Sequence, residues 1–322
     1  MRIRLLVTTI VRVLLLCAMF GLPVRAQGTN GACDRVCLQG FVDQYLAAMV
    51  AHKPESVPLA KTARYTENGQ ALKLGDGMWG PAIALGSYKV YFADLTAGQV
   101  GAFVTLEENG HPAILGIRLK IESRQISEME AIVIRSTAGG FARPQDLKDK
   151  PVFTEVVPPA ERRPRDEMAR IANSYFEGLD KATGALTPFE PGCQRIENGV
   201  ISANAPGGTN EIFKMDCGTQ FATGFSKIIT EIRGRRFPIV DEERGLVYAL
   251  ITFDHNGRNK TTVWADGKEH PVNSPFDEPF SFQIGELFKI RNGKIVRVEA
   301  LVLNVPYHMR SGWGKTEDVR AR

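Results

Sequence analysis

The sequence predicts an α+β protein of two tandem domains, each with N-terminal helices packed on a curved antiparallel sheet. The first observation behind this is an ordered repeat. The run GQVGAFVTLEENG at 98–110 returns as GLVYALITFDHNG at 245–257, with Gly98, Val100, Ala102, Thr105, Asn109 and Gly110 each matched 147 positions on. Lys120, Ile121, Ile126, Glu130 and Ala131 recur as Lys289, Ile290, Ile295, Glu299 and Ala300 at an offset of 169. Tyr45 and Glu67-Asn68-Gly69 match Tyr175 and Glu197-Asn198-Gly199 at an offset of 130. An offset that only grows means loops inserted into the second copy of a domain-sized unit. The other two observations are that each copy opens on a helical pattern before its strands, and that the strands are joined by hairpin turns.

Taken in order, residues 1–26 are expected to lie outside the fold. Arg2, Arg4 and Arg12 form a basic start, Val13 to Phe20 an apolar run, and Val24-Arg25-Ala26 a small-residue cleavage site, the layout of a secretory signal peptide. The first domain is expected over 27–137, a linker over 138–163, the second domain over 164–313 and a tail over 314–322. In the first copy Phe41, Tyr45, Leu46 and Met49 have helical spacing, and Pro54 and Pro58 stop the helix. Residues 98–106 alternate with a period of two, Asn109-Gly110 is a hairpin signal, and Leu115, Ile117, Leu119 and Ile121 form the return strand. A turn at Ser123-Arg124 leads to a last strand over 126–134. Pro144, Pro151, Pro158 and Pro159 mark the linker, which is expected to run along the surface. The second copy reads as a helix over 166–179 and strands over 245–253, 282–290 and 295–303. Asn292-Gly293 joins the last two strands, and an insertion carries Trp264, His270, Pro271, Pro275 and Pro279.

Composition narrows the function classes. Forty basic residues face 36 acidic ones, but four arginines lie in 1–26, so the charges balance once that segment is removed. No nucleic-acid footprint is expected. Arg233, Arg235 and Arg236 are followed by Asp241, Glu242 and Glu243, which are expected to compensate them. No later stretch approaches the roughly 18 apolar residues of a membrane span. The protein is therefore expected to be exported, periplasmic or secreted. Cys33, Cys37, Cys193 and Cys217 remain in that oxidising setting, and local pairing of Cys33 with Cys37 and of Cys193 with Cys217 is expected. Neither pair has a histidine at ligand spacing, so no metal site is expected, and no cofactor. The chain has no Gly-x-Ser-x-Gly elbow, phosphate loop, His-Glu-x-x-His or Cys-x-x-Cys, which argues against hydrolase, kinase and metalloprotease chemistry.

The segment GELFKIRNGKIVRVEALV at 285–302 resembles the closing hairpin of the SnoaL-like, nuclear-transport-factor-two-like superfamily. YTENGQALKLGDGMWG at 65–80, CQRIENGV at 193–200 and RGRRFPIVDEERGLVYA at 233–249 resemble a duplicated SnoaL-like family of exported proteins. The resemblance implies two tandem cones, each holding a pocket. The superfamily's isomerases, cyclases, dehydratases, lyases and binding domains share that pocket, so the fold does not choose between them. Members similar to ketosteroid isomerase use a carboxylate in an apolar cone as base, without a cofactor.

That chemistry needs a carboxylate whose burial raises its proton affinity toward neutral pH. Tyr65 and Glu67, two apart on one strand, share a face, and Asp76, Trp79, Tyr88 and Tyr91 follow on the covering segment. Glu67 is the expected proton-transfer group, Tyr65 its hydrogen-bond partner, with Asp76 a further acid and the aromatics binding the ligand. In the second copy Arg195 and Glu197 take the places of Tyr65 and Glu67. Glu286 shares a strand face with Phe282, Ile284, Phe288 and Ile290, an acid on an otherwise apolar face. Each has a structural alternative: Glu-Asn-Gly as a turn, Glu67 or Glu197 paired with arginine, Glu286 paired with Arg233, Arg235 or Arg236, the aromatics as core, Glu130 and Glu299 as matched supports, His255 solvated in a turn. Two functions follow. One is a lyase, isomerase or dehydratase acting on a hydrophobic, aromatic or polycyclic small molecule. The other is a non-catalytic binding or scaffolding protein whose domains pack on each other or dimerise.

Overall fold

The computed structural model describes residues 33–135, 142–148, 150–207 and 210–313. The expected signal peptide and the 314–322 tail lie outside the described residues.

The first helix, α1 (Arg35–Val50), starts where the Asp34 carboxylate accepts the Cys37 backbone N–H at 2.8 Å. It buries Leu38, Phe41, Val42, Tyr45, Leu46 and Met49, one face at a spacing of three and four. Six strands follow: β1 (Leu59–Glu67), β2 (Gln70–Ala71), β3 (Ala82–Asp94), β4 (Gln99–Glu108), β5 (His111–Glu122) and β6 (Gln125–Arg135). After a short linker helix, α2 (Pro151–Thr154), the plan repeats with α3 (Arg165–Asp180), whose bounds lie 130 positions after those of α1. Asp166 and Glu167 in its first turn suit the positive end of the helix dipole. Next come β7 (Phe189–Glu197), β8 (Val200–Ala203), the short helices α4 (Glu211–Lys214) and α5 (Cys217–Ala222), then β9 (Glu231–Asp241) and β10 (Leu246–Asn256). A side hairpin, β11 (Thr261–Val263) and β12 (Glu269–Pro271), precedes β13 (Pro279–Arg291) and β14 (Lys294–Val305).

The two main sheets have matching orders, β2-β1-β6-β5-β4-β3 and β8-β7-β14-β13-β10-β9. Neither is purely antiparallel, because β1 pairs with β6, and β7 with β14, in parallel. This corrects the expected α+β cone of helices on an antiparallel sheet. Strand outweighs helix, each half has a single long helix, and both sheets are mixed. The Glu-Asn-Gly segments are turns, with φ of 52° and 75° at Asn68-Gly69 and 49° and 88° at Asn198-Gly199. Each Asn also carries the parallel pairing one step further: Asn68 Oδ1 accepts from Val133 N, and Asn198 Oδ1 from Val302 N, both at 2.8 Å.

One face of each sheet packs on its own helix, while the opposite faces share a third core. Val90, Phe92, Phe103, Ile114 and Ile132 of the first half meet Ile239, Tyr248, Leu250, Leu287 and Leu301 of the second there. Phe92 lies 4.7 Å from Tyr248, centroid to centroid. At Gly116 a Cβ would stand 2.7 Å from Leu301 Cδ1, so the sheets approach this closely because that residue has no side chain. The linker is not laid on the surface as expected. Leu147 and Phe153 are buried in the shared core, and Lys289 Nζ is buried between the carbonyls of Glu155 (2.9 Å) and Arg244 (2.8 Å).

Ion pairs across the junction come in exchanged sets. Arg165 of α3 pairs with Asp94 of β3, and Arg35 of α1 pairs with Asp241 of β9. Glu130 accepts from Arg236, and its counterpart Glu299 accepts from Tyr88, each buried acid being held by the other half. The expected local compensation of the arginine cluster is therefore corrected: Arg233 bonds Asp254, Arg235 bonds Asn173 and Arg236 bonds Glu130. The C-terminal segment crosses the junction too, with Trp313 Nε1 donating to Thr66 Oγ1 at 2.6 Å and its ring beside Arg64 and Arg118. Both halves belong to one compact unit.

Two disulfides form, Cys33–Cys37 and Cys193–Cys217. No described helix is long and apolar enough to cross a membrane. Cys193–Cys217 closes a loop of separation 24, which in the chain-entropy picture is a constraint of roughly 3 kcal/mol on the unfolded state. The Cys193→Ser, Cys217→Ser double variant is accordingly expected to lose about that much stability in a urea titration. An unchanged midpoint would show that the loop is held by its packing alone.

Candidate functional site

In the first half, β1 projects Tyr65 and Glu67 onto the face covered by α1. The Tyr65 hydroxyl donates to Glu67 Oε2 at 2.8 Å, and the Met78 backbone N–H donates to the same oxygen at 2.8 Å. Arg135, gripped by Glu108, stands 4.0 Å from the other oxygen. Gly77, at φ 68°, is forced by this contact, since a Cβ there would sit 2.5 Å from Glu67 Oε2. Trp79 donates to the Tyr45 hydroxyl at 3.0 Å, its ring edge-on to that tyrosine at 5.0 Å. Burial pushes the Tyr45 and Tyr65 phenols well above their ordinary range, so both keep their protons, Tyr65 donating to Glu67 and Tyr45 accepting from Trp79. Glu67 is thus a fully engaged acceptor that fixes the turn carrying Met78 and Trp79.

The other expected first-half residues do not join it. Asp76 is exposed at the start of the short turn over 77–79 and caps it with no side-chain bond. Tyr88 points across the junction to Glu299, and Tyr91 bonds Asp43 on α1. The structure brings together Tyr65, Glu67 and Trp79, and adds Tyr45.

The second half builds a different cluster from equivalent positions. Tyr175 on α3 corresponds to Tyr45, Arg195 on β7 to Tyr65 and Glu197 to Glu67, while Glu286 on β13 stands where the first half has Ile117. Glu286 and Ile117 face Ala300 and Ala131 on their neighbouring strands. The buried acid therefore accompanies a buried arginine. Arg195 gives one terminal nitrogen to Glu197 and the other to Gln220 Oε1, and its Nε is buried with no partner. Its guanidinium lies 5.7 Å from the Tyr175 ring and 5.4 Å from that of Phe221. Phe221 meets Tyr175 edge-on at 5.0 Å, as Trp79 meets Tyr45. The Cys193–Cys217 bridge ties β7 to the helix bearing Gln220 and Phe221.

Glu286 is 3% exposed. Burial raises its proton affinity to about 8, against the pull of Arg195 and a hydrogen bond from Tyr175, with Glu197 adding to the rise. Burial likewise drives the Tyr175 phenol far upward. Burial also works against the charge of Arg195, but Tyr175, Glu197 and Glu286 outweigh it, so the guanidinium stays charged. Glu286 thus has Arg195 as its basic neighbour, and none of Arg233, Arg235 or Arg236, which bond elsewhere.

His255 is also placed differently from expectation. It is buried against Phe280 in a parallel stack at 4.5 Å, and burial lowers its pKa to about 4. Glu231, Asp254 and His308 converge closely enough to hold a cation. Asp254 is already engaged by Arg233 at 2.8 Å and Ser281 at 2.5 Å, however, and the arginine supplies the charge a metal would. An open groove of about 250 Å³ beside Leu85, Thr105 and Leu147, and a water-sized cavity of about 20 Å³ at the junction, involve neither Glu67 nor Glu286.

Two members of the second-half site were not singled out in the sequence. Tyr175 was visible only as the repeat partner of Tyr45, and Gln220 sits on a short helix just after the Cys193–Cys217 loop, which no local pattern announces. Residues 161–302 match the family model of a domain of unknown function (DUF8021), a stretch that contains Tyr175, Arg195, Glu197, Gln220 and Glu286. A search of curated proteins finds no match to the chain.

Proposed function

We propose that the second half is a proton-transfer centre built on Glu286, and that the protein is an exported, periplasmic or secreted, lyase or isomerase acting on a hydrophobic small molecule. The observation that carries this reading is a carboxyl group with proton affinity near 8 inside an aromatic shell, next to a buried arginine nitrogen with no partner. A group with that affinity gives or takes a proton near neutral pH, as general acid–base work requires. In its ionised fraction Glu286 takes a proton from carbon beside a carbonyl, the C–H electron pair moves toward the carbonyl oxygen, and Arg195 Nε–H stabilises the charge that develops there, while the Tyr175 hydroxyl holds Glu286. The two disulfides support the exported setting. Tyr175, Phe221 and Phe288 are closed to solvent, and the partly exposed Phe225 lies 5.9 Å from the Arg195 guanidinium, so access to Glu286 requires this packing to open.

A scaffolding role is favoured by a separate observation, the exchanged ion pairs that lock the halves together. The two readings part in one assay, solvent deuterium incorporation into a panel of aryl and alicyclic ketones. Wild-type protein is expected to accelerate exchange above buffer, and Glu286→Gln to lose at least about 100-fold of that rate. Glu67→Gln is expected to change it less than about twofold, because Glu67 braces a turn and does not meet the ligand. Equal exchange by wild type and Glu286→Gln would leave the scaffold reading standing.

A further inference from the structure

The Cys193–Cys217 bridge brings two side chains into register. Cys193 lies two residues before Arg195 on β7, and Cys217 three residues before Gln220 on α5. Gln220 is 1% exposed, and its amide cannot turn over. Nε2 donates to Ser202 O at 2.5 Å and to Ile212 O at 3.0 Å, and because a carbonyl only accepts, the amide oxygen is left facing Arg195, which donates to it. The guanidinium is thereby pinned through both terminal nitrogens, one on Glu197 and one on Gln220.

These two partners also decide what Arg195 does not do. The titratable groups that act on Glu286 are Tyr175 from α3 and Arg195 and Glu197 from β7, and Arg195 is the one base among them. Among the described residues its ion pair nonetheless goes to Glu197 and not to Glu286. The first half shows the contrast. Where it has Ile117 in the place of Glu286 it has Tyr65 in the place of Arg195, and its segment between β2 and β3 holds one short turn and no cysteine. The buried acid, the buried arginine and the bridge occur together in one half and are all missing from the other.

Resting on the Glu286 reading, we propose that Gln220 is a positioning residue: as a neutral acceptor it draws Arg195 off Glu286, so that the buried acid stays free of an ion pair. An acid closed onto a guanidinium ionises at ordinary acidic pH and is a weak base near neutrality. Held apart from it, the same acid keeps the proton affinity that its burial confers. Glu197 alone would leave the second terminal nitrogen of Arg195 unmet in the core, and an unmet charged donor turns to the nearest acceptor.

The test follows the Glu286 carboxyl itself, by 13C NMR of the full chain labelled at glutamate side-chain carboxyls, its resonance being the one lost in Glu286→Gln. Gln220→Met keeps the side-chain volume and removes the acceptor as well as the amide donors, whereas Gln220→Glu removes the amide donors and keeps an acceptor. In Gln220→Met the freed nitrogen of Arg195 is expected to turn to Glu286, whose proton affinity falls at least tenfold. In Gln220→Glu it is expected to stay at or above the wild-type value. Both variants lose the amide bonds to Ser202 and Ile212, so a helix that merely loosened and admitted water would lower the affinity in both. An unmoved titration in Gln220→Met, or a fall in both variants, would overturn this inference and leave the Glu286 reading intact. Should Gln220→Met fail to fold, Gln220→Leu takes its place in the same comparison. Titration of wild-type Glu286 as an ordinary carboxylate would overturn the Glu286 reading, and this inference with it.

Discussion

Asp94→Ala is expected to lower the unfolding free energy by about 2–3 kcal/mol, the usual cost of leaving a buried donor without its charged acceptor. Asp94 is buried at the end of β3 and accepts from Val240 N and Ala97 N, both at 2.9 Å, while pairing with Arg165. Alanine leaves the Val240 N–H without its acceptor at the junction, while Arg165, a third exposed, can turn to solvent. Asp241 occupies the matching place 147 positions on, and accepts from Arg35 at 2.5 Å and from Arg244 N at 3.1 Å. Asp241→Ala is expected to cost a similar amount. Both carboxylates sit where β3 and β9 meet, so the double variant should depart from additivity by more than about 0.5 kcal/mol. Urea melts of the two single variants and the double variant measure all three values. A loss below about 1 kcal/mol for either single variant would mean that the junction is held by its aromatic core and not by the exchanged pairs.

That exchange explains what the sequence shows and hides. The duplication was legible because both copies keep turns at matching places: Asn68-Gly69 and Asn198-Gly199 adopt positive φ with the same residues, and Ser123-Arg124 and Asn292-Gly293 do so with different ones. The two disulfides were legible because each pair is local in sequence. The parallel pairing of β1 with β6 was not, since no local signal joins strands about sixty residues apart. Back-to-back packing was hidden by its own consequence. Residues 100–106 are buried throughout, on the α1 side and on the Tyr248 side alike, so the period of two that marks a half-exposed sheet carries no information about the second face. Glu286 stood out as an acid on an apolar face, yet its neighbour Arg195 lies two strands away, nearly a hundred residues earlier. The expectation favoured Glu67 because aromatics and acids crowd its stretch of sequence. In the structure Tyr65 and the Met78 N–H are tied to Glu67 and Trp79 to Tyr45, while Asp76, Tyr88 and Tyr91 face elsewhere.

Glu286→Gln is expected to reshape the pH dependence of stability, and the sign of each limb follows from three buried groups. Glu286 has a folded proton affinity near 8 against an ordinary 4.5, so the folded state keeps a proton that the unfolded state has lost between those values. Its contribution is full below pH 4.5 and falls as pH rises to 8. His255 acts oppositely, since its pKa drops from 6.5 to about 4 and stability rises with pH across that interval. Lys289, lowered by burial from 10.5 to about 8, adds a further rise from pH 8 upward. In wild type the Glu286 and His255 slopes offset each other between pH 4.5 and 6.5, and Glu286 alone then pulls stability down to pH 8. One proton corresponds to about 1.4 kcal/mol per pH unit, so that fall is on the order of 2 kcal/mol. In Glu286→Gln the fall between pH 6.5 and 8 should vanish, and the His255 rise below pH 6.5 should emerge unopposed. Denaturant midpoints taken across pH 4–9 read both changes. Identical profiles in the two proteins would mean that Glu286 titrates as an ordinary carboxylate, and would remove the physical basis for assigning it a proton-transfer role.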